Sequence, residues 1–264
     1  FVIGALGGSM AALYLGVPSG WLLPTTMFAG ALSGLLWAAL AAVLKTKFNA
    51  NEILTTIMLN YIAVNLLLYA VHGPMKDPAG FNFPESAMLS ASAMLPTLID
   101  GYRVNAGFLL ALLAMVVVWV VSARTLIGFQ IRVLGEDERA AKFAGFSTRK
   151  LIWFVLLSSG ALAGIAGVGE VAGPIGQLNP YVASGYGYSA IIVVFLGRMH
   201  PIGILLASAL LALTFMGGEM VQMQYGLPKS LTGLFQGLLL FFLLTCDLFI
   251  SYKFKFSKPS VGAV

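Results

Sequence analysis

Polar positions along this chain are few and clustered, and long apolar runs of similar length separate them. A helix that crosses a bilayer needs roughly 20 apolar residues, with about 17 to 25 tolerated. Leu22–Leu44, Ile53–Val71, Val104–Val121, Leu151–Val171 and Leu231–Ile250 meet that length, and Pro201–Gly218 begins another such run. Phe1–Gly16 reads as the remnant of a further span, with Pro18, Ser19 and Gly20 as the turn that follows it. Tyr188–Leu196 is too short to cross alone, yet apolar enough to enter the bilayer as a half-helix surrounded by protein or a cavity. Two stretches do not span. Gly173–Gly187 is broken by Gly and Pro, and His72–Arg103 carries Pro74, Pro78, Pro84 and Pro96, which forbid a continuous helix. Asn49 or Asn51 is expected to cap the helix at Ile53, with Glu52 in its first turn. The pattern predicts an all-α polytopic membrane bundle of about eight segments. It forms one transmembrane domain over residues 1–264, with a loop on the outer side over 72–103.

The largest polar interruption is Ser122–Lys150, with Arg124, Arg132, Arg139, Lys142, Arg149 and Lys150 around Glu136, Asp137 and Glu138. Gly135 is expected to break the chain. The acids then suit the positive end of a short helix, and Gly145 suits its left-handed stop. Ala140, Ala141 and Ala144 give that helix a small-residue face, with Leu134, Phe143 and Phe146 as bulky projections around it. Two readings stay open at this point: a docking surface for another protein, or an ordinary loop with basic anchors. Placing residues 123–150 in the cytoplasm and alternating sides puts Lys45, Lys47, Arg198, Lys253, Lys255 and Lys258 inside as well. Only Lys76, Arg103 and Lys229 then lie outside. That asymmetry is what the positive-inside rule expects, and it predicts a cytoplasmic C-terminus.

Composition agrees. Apolar residues make up 59% of the chain and charged residues 9%, and the mean hydropathy is +0.93. A soluble domain carries about 25% charged residues, so this chain could not cover a wet surface. Its basic residues are too sparse and too split between loops to bind nucleic acid. Cys246 is the only cysteine, which excludes an internal disulfide or a cysteine metal cluster. The chain begins at Phe1 inside an apolar run, so its true N-terminus is expected to lie upstream.

Glycines recur at four-residue spacing as Gly4 and Gly8, Gly30 and Gly34, Gly160 and Gly164, Gly169 and Gly173, and Gly233 and Gly237. Such pairs let helix backbones approach closely in lipid, which favours a compact multi-helix core. GYGYSA at Gly185–Ala190 fits the loose GxGxxA dinucleotide pattern, but it precedes a membrane segment and is read as chance. The chain contains no GxxxxGK[ST], HExxH or GxSxG motif, so hydrolysis of ATP by this chain is not expected. His72 and His200 fall on opposite predicted sides of the membrane, which argues against a zinc site. Polar groups inside a membrane are costly and are functional candidates. Asn60, Glu170, Glu219 and Gln222 could line a polar substrate's route, with Tyr186 and Tyr188 as stacking surfaces. Equally, the glutamates could reach interfacial water and Asn60 could bond a neighbouring helix. Asp247 is expected to pair with the tail lysines.

Several segments, in order, resemble the membrane permease subunits of bacterial ATP-binding cassette (ABC) importers for simple sugars and nucleosides. NEILTTIMLNY at Asn51–Tyr61 is similar to the family's NE(V/I)(I/V)xTxMLNY stretch, and HGPMKDPAGF at His72–Phe81 resembles the outer loop of the nucleoside branch. RVLGEDERAAKFAG at Arg132–Gly145 resembles the family's ATPase-contacting RAxGxNxxAAxxAG segment, and SGALAGIAG at Ser159–Gly167 its SGALAGLAG helix. Two departures stand out. An NIGxEGQ-like stretch that the family usually carries just before the point where this chain starts is absent, and Glu136 and Asp137 stand where many members have Glu or Lys followed by Asn.

The resemblance implies a bacterial cytoplasmic-membrane permease with no cofactor of its own. It also implies a partner ATPase that binds ATP and Mg, an extracytoplasmic substrate-binding protein and a second permease subunit. Gly135, Glu136, Asp137, Arg139, Ala140, Ala141, Phe143 and Gly145 would then couple to the ATPase. Two rivals remain on the residues alone. An ion-driven secondary transporter would favour inverted repeats, to which Phe28–Leu36 and Ser158–Gly167 offer only a weak likeness. A non-transporting membrane scaffold would not need Glu170 and Glu219.

Overall fold

The computed structural model describes residues 1–99, 104–183, 185–226, 228 and 230–251. Among these the chain is helical, without strands apart from a lone antiparallel bridge between Thr97 and Asn105. Ten α-helices follow one another: α1 (Val2–Tyr14), α2 (Ser19–Phe48), α3 (Glu52–His72), α4 (Gly107–Arg124), α5 (Leu126–Glu136), α6 (Glu138–Phe143), α7 (Thr148–Glu170), α8 (Tyr186–Leu196), α9 (Pro201–Tyr225) and α10 (Ser230–Ser251). Among the described residues five helices are long and apolar enough to cross a membrane: α2, α3, α4, α9, and α7 with its continuation to Ile175. The shorter α1 and α8 are apolar as well. The expected turn at Pro18, Ser19 and Gly20 is displaced. Pro18 is the N-cap of α2, and Ser19 and Gly20 form its first turn. Of the two candidate caps on α3, Asn51 serves, its carboxamide oxygen accepting from the Ile53 N–H at 3.0 Å. Asn49 instead closes α2 in the left-handed region.

The chain divides into two compact units, one through Ser184 and one from Gly185 onward. At the centre of the first, α1, α2 and α7 pack backbone to backbone. A Cβ on Gly4 would fall 2.6 Å from the Gly164 carbonyl oxygen, and one on Gly34 would fall 2.9 Å from the Gly164 Cα. Only glycine permits that approach, and dispersion along the bared backbones then holds the helices in a solvent as apolar as their side chains. Three of the expected glycine pairs, on α1, α2 and α7, meet here. In a fourth, Gly173 faces Asn105 while Gly169 faces open space. In the fifth, a Cβ on Gly233 or Gly237 of α10 would meet nothing within 4 Å among the described residues, so four-residue spacing alone does not specify a contact.

The end of this unit away from α6 is a true core. Ala63, Leu67, Ala70 and Val71 form one stripe of α3, and they pack with Val168, Val171, Ala172, Leu178 and Val182. The stretch after α3, read above as a loop over 72–103, closes this core with Met75, Leu89, Ala93 and Leu95. Beyond Glu170 the chain continues as a π-turn, Val171–Ile175, that contains Pro174. Helix ends leave carbonyls without partners. Here the loop supplies them, as Leu95 N–H donates to the Ala172 carbonyl at 2.8 Å and Leu89 N–H to Gly176 at 2.9 Å. Ser86 and Leu178 exchange two further bonds at 2.9 Å, and Gln177 Nε2 donates to Glu85 Oε2 at 2.6 Å.

In the second unit α8, α9 and α10 contact one another. Gly185 (φ 86°) opens α8, so the GYGYSA stretch is a helix start; among the described residues no strand precedes it. Arg103, Lys229, Lys253, Lys255 and Lys258, used above for orientation, lie outside the described residues, as does the side chain of Asp247.

Candidate functional site

The polar segment between α4 and α7 builds a compact surface. Thr125 ends α4 and caps α5, its hydroxyl accepting from the Gly128 N–H at 3.2 Å. The corner is tight enough to require glycine, since a Cβ at Gly128 would meet the Ser122 carbonyl carbon at 2.7 Å. Contrary to expectation, Gly135 does not break the chain, and α5 runs through it to Glu136. The break comes at Asp137, which turns extended (φ −153°, ψ 119°) and caps α6 by accepting from the Arg139 N–H at 2.8 Å. A short acceptor side chain satisfies an orphan N–H of the new helix, so the acid outweighs the glycine as the local signal. Gly145 (φ 78°) closes the turn after α6 as expected, and Phe146 N–H returns to the Ala141 carbonyl at 3.0 Å.

The small-residue face also needs correction. Ala141 is fully buried beneath α6, whereas Ala140 and Ala144 are exposed. Phe146 is tucked edge-on against Phe129, with ring centroids 6.3 Å apart. Phe143 is 94% exposed, and Gly135, Glu136, Asp137, Arg139 and Gly145 are exposed too. The structure thus brings these residues onto one short projecting element, with a phenylalanine at its crest. Lys142 bonds Glu138 at 2.9 Å and holds its carboxyl below the ordinary range, with a further contribution from the charge of Lys45.

The membrane polar residues divide between the two units. In the first, Asn60 sits midway along α3, on the wall of a cavity of about 310 Å³ that also shows Thr56, Trp37 and Ser159. Glu170 is the last residue of α7, where the π-turn begins. In the second, Tyr186 starts α8 and packs edge-on against Phe215 at 5.4 Å, while Tyr188 is exposed. Glu219 is exposed on α9, and Gln222 lines a cavity of about 180 Å³ with Thr214, Val221 and Phe235. Among the described residues no cluster of His, Cys, Asp or Glu could hold a metal ion. Sequence reasoning missed Thr46 and Trp153, whose side chains meet at 3.1 Å across 107 positions. So distant a pairing has no local signature.

Residues 1–244 match the family described as branched-chain amino acid transport system / permease component. The chain is similar to a glucose ABC transporter permease protein of Haloferax volcanii, at 36% identity over 96% of this chain and 69% of that protein. It is similar to a guanosine ABC transporter permease protein of Bacillus subtilis, at 31% identity over 95% of this chain and 72% of that protein. A nucleoside ABC transporter permease protein of Lactococcus lactis is 26% identical over 90% of this chain and 69% of that protein. No solved structure matches the chain.

Proposed function

We propose a mechanism from one premise: the chain belongs to the branched-chain amino acid transport system / permease component family, and it is a multi-pass permease subunit of an ABC importer. Such permeases work with an ATPase and a substrate-binding protein. The finer reading is that α6 is the coupling helix, seated in a groove of the ATPase on the cytoplasmic side. ATP and Mg then belong to that partner, and this chain needs no cofactor. The carrying observation is the projection of Ala140 and the almost bare Phe143 from a helix capped at both ends and anchored by buried Ala141. A crest of this kind is a small apolar plug whose exposure costs free energy until a partner covers it.

Closure of the ATPase dimer would push α6 and tip the bundle from outward-open to inward-open. With a second permease subunit, the substrate's route would draw on Asn60, Glu170, Tyr186, Tyr188, Glu219 and Gln222. The named relatives support a nucleoside or a simple sugar as cargo. The cytoplasmic C-terminus follows from the distribution of Lys and Arg.

The test is uptake of labelled guanosine and labelled glucose by vesicles holding the permease with its ATPase and binding protein. Wild type is expected to accumulate one of the two when ATP is present. Ala140→Glu places a charge on the crest without entering the core. It should cut uptake by about tenfold or more, a desolvation penalty of a size usual for an unpaired charge at an interface. Transport by Ala140→Glu at the wild-type rate would remove α6 from the coupling role.

A further inference from the structure

α2 and α7 are joined along their whole shared length, and the joint at one end is not made of glycine. From the end away from α6 the facing positions are Gly30 with Gly164, Gly34 with Gly160, and then Ala38 with Gly160. The antiparallel register continues to Thr46, in the last turn of α2. There Trp153 Nε1 donates to the Thr46 hydroxyl at 3.1 Å, and Arg149 Nη2 donates to the Thr46 carbonyl at 3.3 Å. The hydroxyl in turn donates to the Ala42 carbonyl at 2.7 Å. Both donors belong to the first two turns of α7, which begins at Thr148, just beyond α6 and Gly145. From Gly30 to Thr46 the seam covers about 24 Å at about 1.5 Å per residue. Glycine fixes how close the backbones come, but a smooth glycine face offers little resistance to sliding or splaying at its free end. Directional bonds do.

We propose that Thr46 is a positioning residue for transport, clamping the cytoplasmic end of α2 to α7 so that a push on α6 moves both helices as one body. The inference rests on the reading of α6 as the coupling helix. Without the clamp, α7 would bend away from α2 at its first turns, and the stroke would be spent there. The corner around it supports the assignment. Lys45 bonds Glu52 at 3.1 Å and thereby ties the start of α3 to the same end of α2, and its charge also reaches Glu138 on α6.

The experiment uses the permease with its ATPase and binding protein in vesicles, in three versions: Thr46→Val, which keeps the branched shape and loses the hydroxyl; Trp153→Phe, which keeps a ring and loses the donor; and Thr46→Ser, which restores the hydroxyl. Substrate carried per ATP hydrolysed should fall about threefold to tenfold in Thr46→Val and in Trp153→Phe, the effect of losing one part-buried hydrogen bond. The double variant should lose no more than either single one, because both remove the same bond. Thr46→Ser should restore the ratio. The second readout needs no substrate. Lys47 and Lys150 are exposed at the two helix ends, and cysteines there, in a Cys246→Ser background, accept spin labels. Wild type should give one narrow distance with and without ATP, Thr46→Val a broad one, and Thr46→Ser a narrow one again. An unchanged distance in Thr46→Val overturns the clamp, and so does a parallel fall in uptake and hydrolysis at constant ratio. If wild type carries neither guanosine nor glucose while Thr46→Val still broadens the distance, the clamp stands and the substrate assignment fails.

Discussion

Helices α4 and α7 are both apolar enough to cross a bilayer, yet they lead opposite lives. α7 buries Leu151, Gly164, Gly167 and Val168, while α4 buries no residue at all. Oiliness does not separate them; α4 is an unbroken run of Leu, Val, Ala, Phe, Met and Trp from Phe108 to Val121. Glycine does. α7 carries Gly160, Gly164, Gly167 and Gly169 within its span, and α4 has only Gly107, at its first residue. In lipid a leucine gains nothing by leaving the solvent for a neighbouring helix, so association depends on how near two backbones can come. The lesson concerns function as well. If α6 is the coupling helix, the welded α7 beside it is the helix that would carry its movement into the bundle.

The harshest way to break this contrast is to put bulk at the weld. Gly164 lies between α1 and α2, and a Cβ there would meet the Gly30 carbonyl carbon at 3.0 Å and the Ala31 Cα at 3.3 Å. Gly164→Val is expected to cost about 3 kcal/mol or more, since the α2 backbone must move away. Unfolding in mixed detergent micelles measures it. A variant that unfolds like wild type would mean that the close approach contributes little.

A smaller effect is expected at the end away from α6, where the contact is side chain on side chain. Leu178 is fully buried, and its neighbours come from α3, from the 73–106 segment and from the π-turn. Leu178→Ala removes that contact and leaves a cavity, at a cost of about 2 to 3 kcal/mol. The same unfolding assay, paired with protease digestion of the 73–106 segment, reads it. Faster digestion with unchanged global unfolding would show that the cap opens as a unit of its own.

Much of this was legible beforehand, for particular reasons. Spans follow from run length, because bilayer thickness sets helix length whatever the fold. Asn51, Glu52 and Gly145 were legible because caps are local chemistry. Gly135 misled because glycine weakens a helix without having to end it, and Asp137 two residues on offered the stronger stop. The cap over this core was hidden, since Pro-rich segments look alike whether they dangle or pack. Only the fold reveals that Leu89 and Leu95 join the core and that their N–H groups bond the carbonyls of Gly176 and Ala172. The clamp at Thr46 was hidden for the reason any distant pair is. Nothing near residue 46 points to residue 153.

The mildest prediction addresses the other half of the contrast. Leu113 is 63% exposed in the middle of α4, with no core beneath it. In the single chain in detergent, Leu113→Ala exchanges one apolar surface for another against the same solvent. Its effect on unfolding should stay within about 0.5 kcal/mol, the range for substitutions that touch no packed feature. This is the reverse of Leu178→Ala, although the chemical change is identical, so the pair isolates packing from oiliness. A cost at Leu113 equal to that at Leu178 would show that another copy of this chain already covers α4 in the micelle. Repeating the measurement on the full complex tests for a partner subunit. A Leu113 that becomes costly only after assembly would place the partner permease on α4, and one that stays neutral throughout would leave that helix facing lipid.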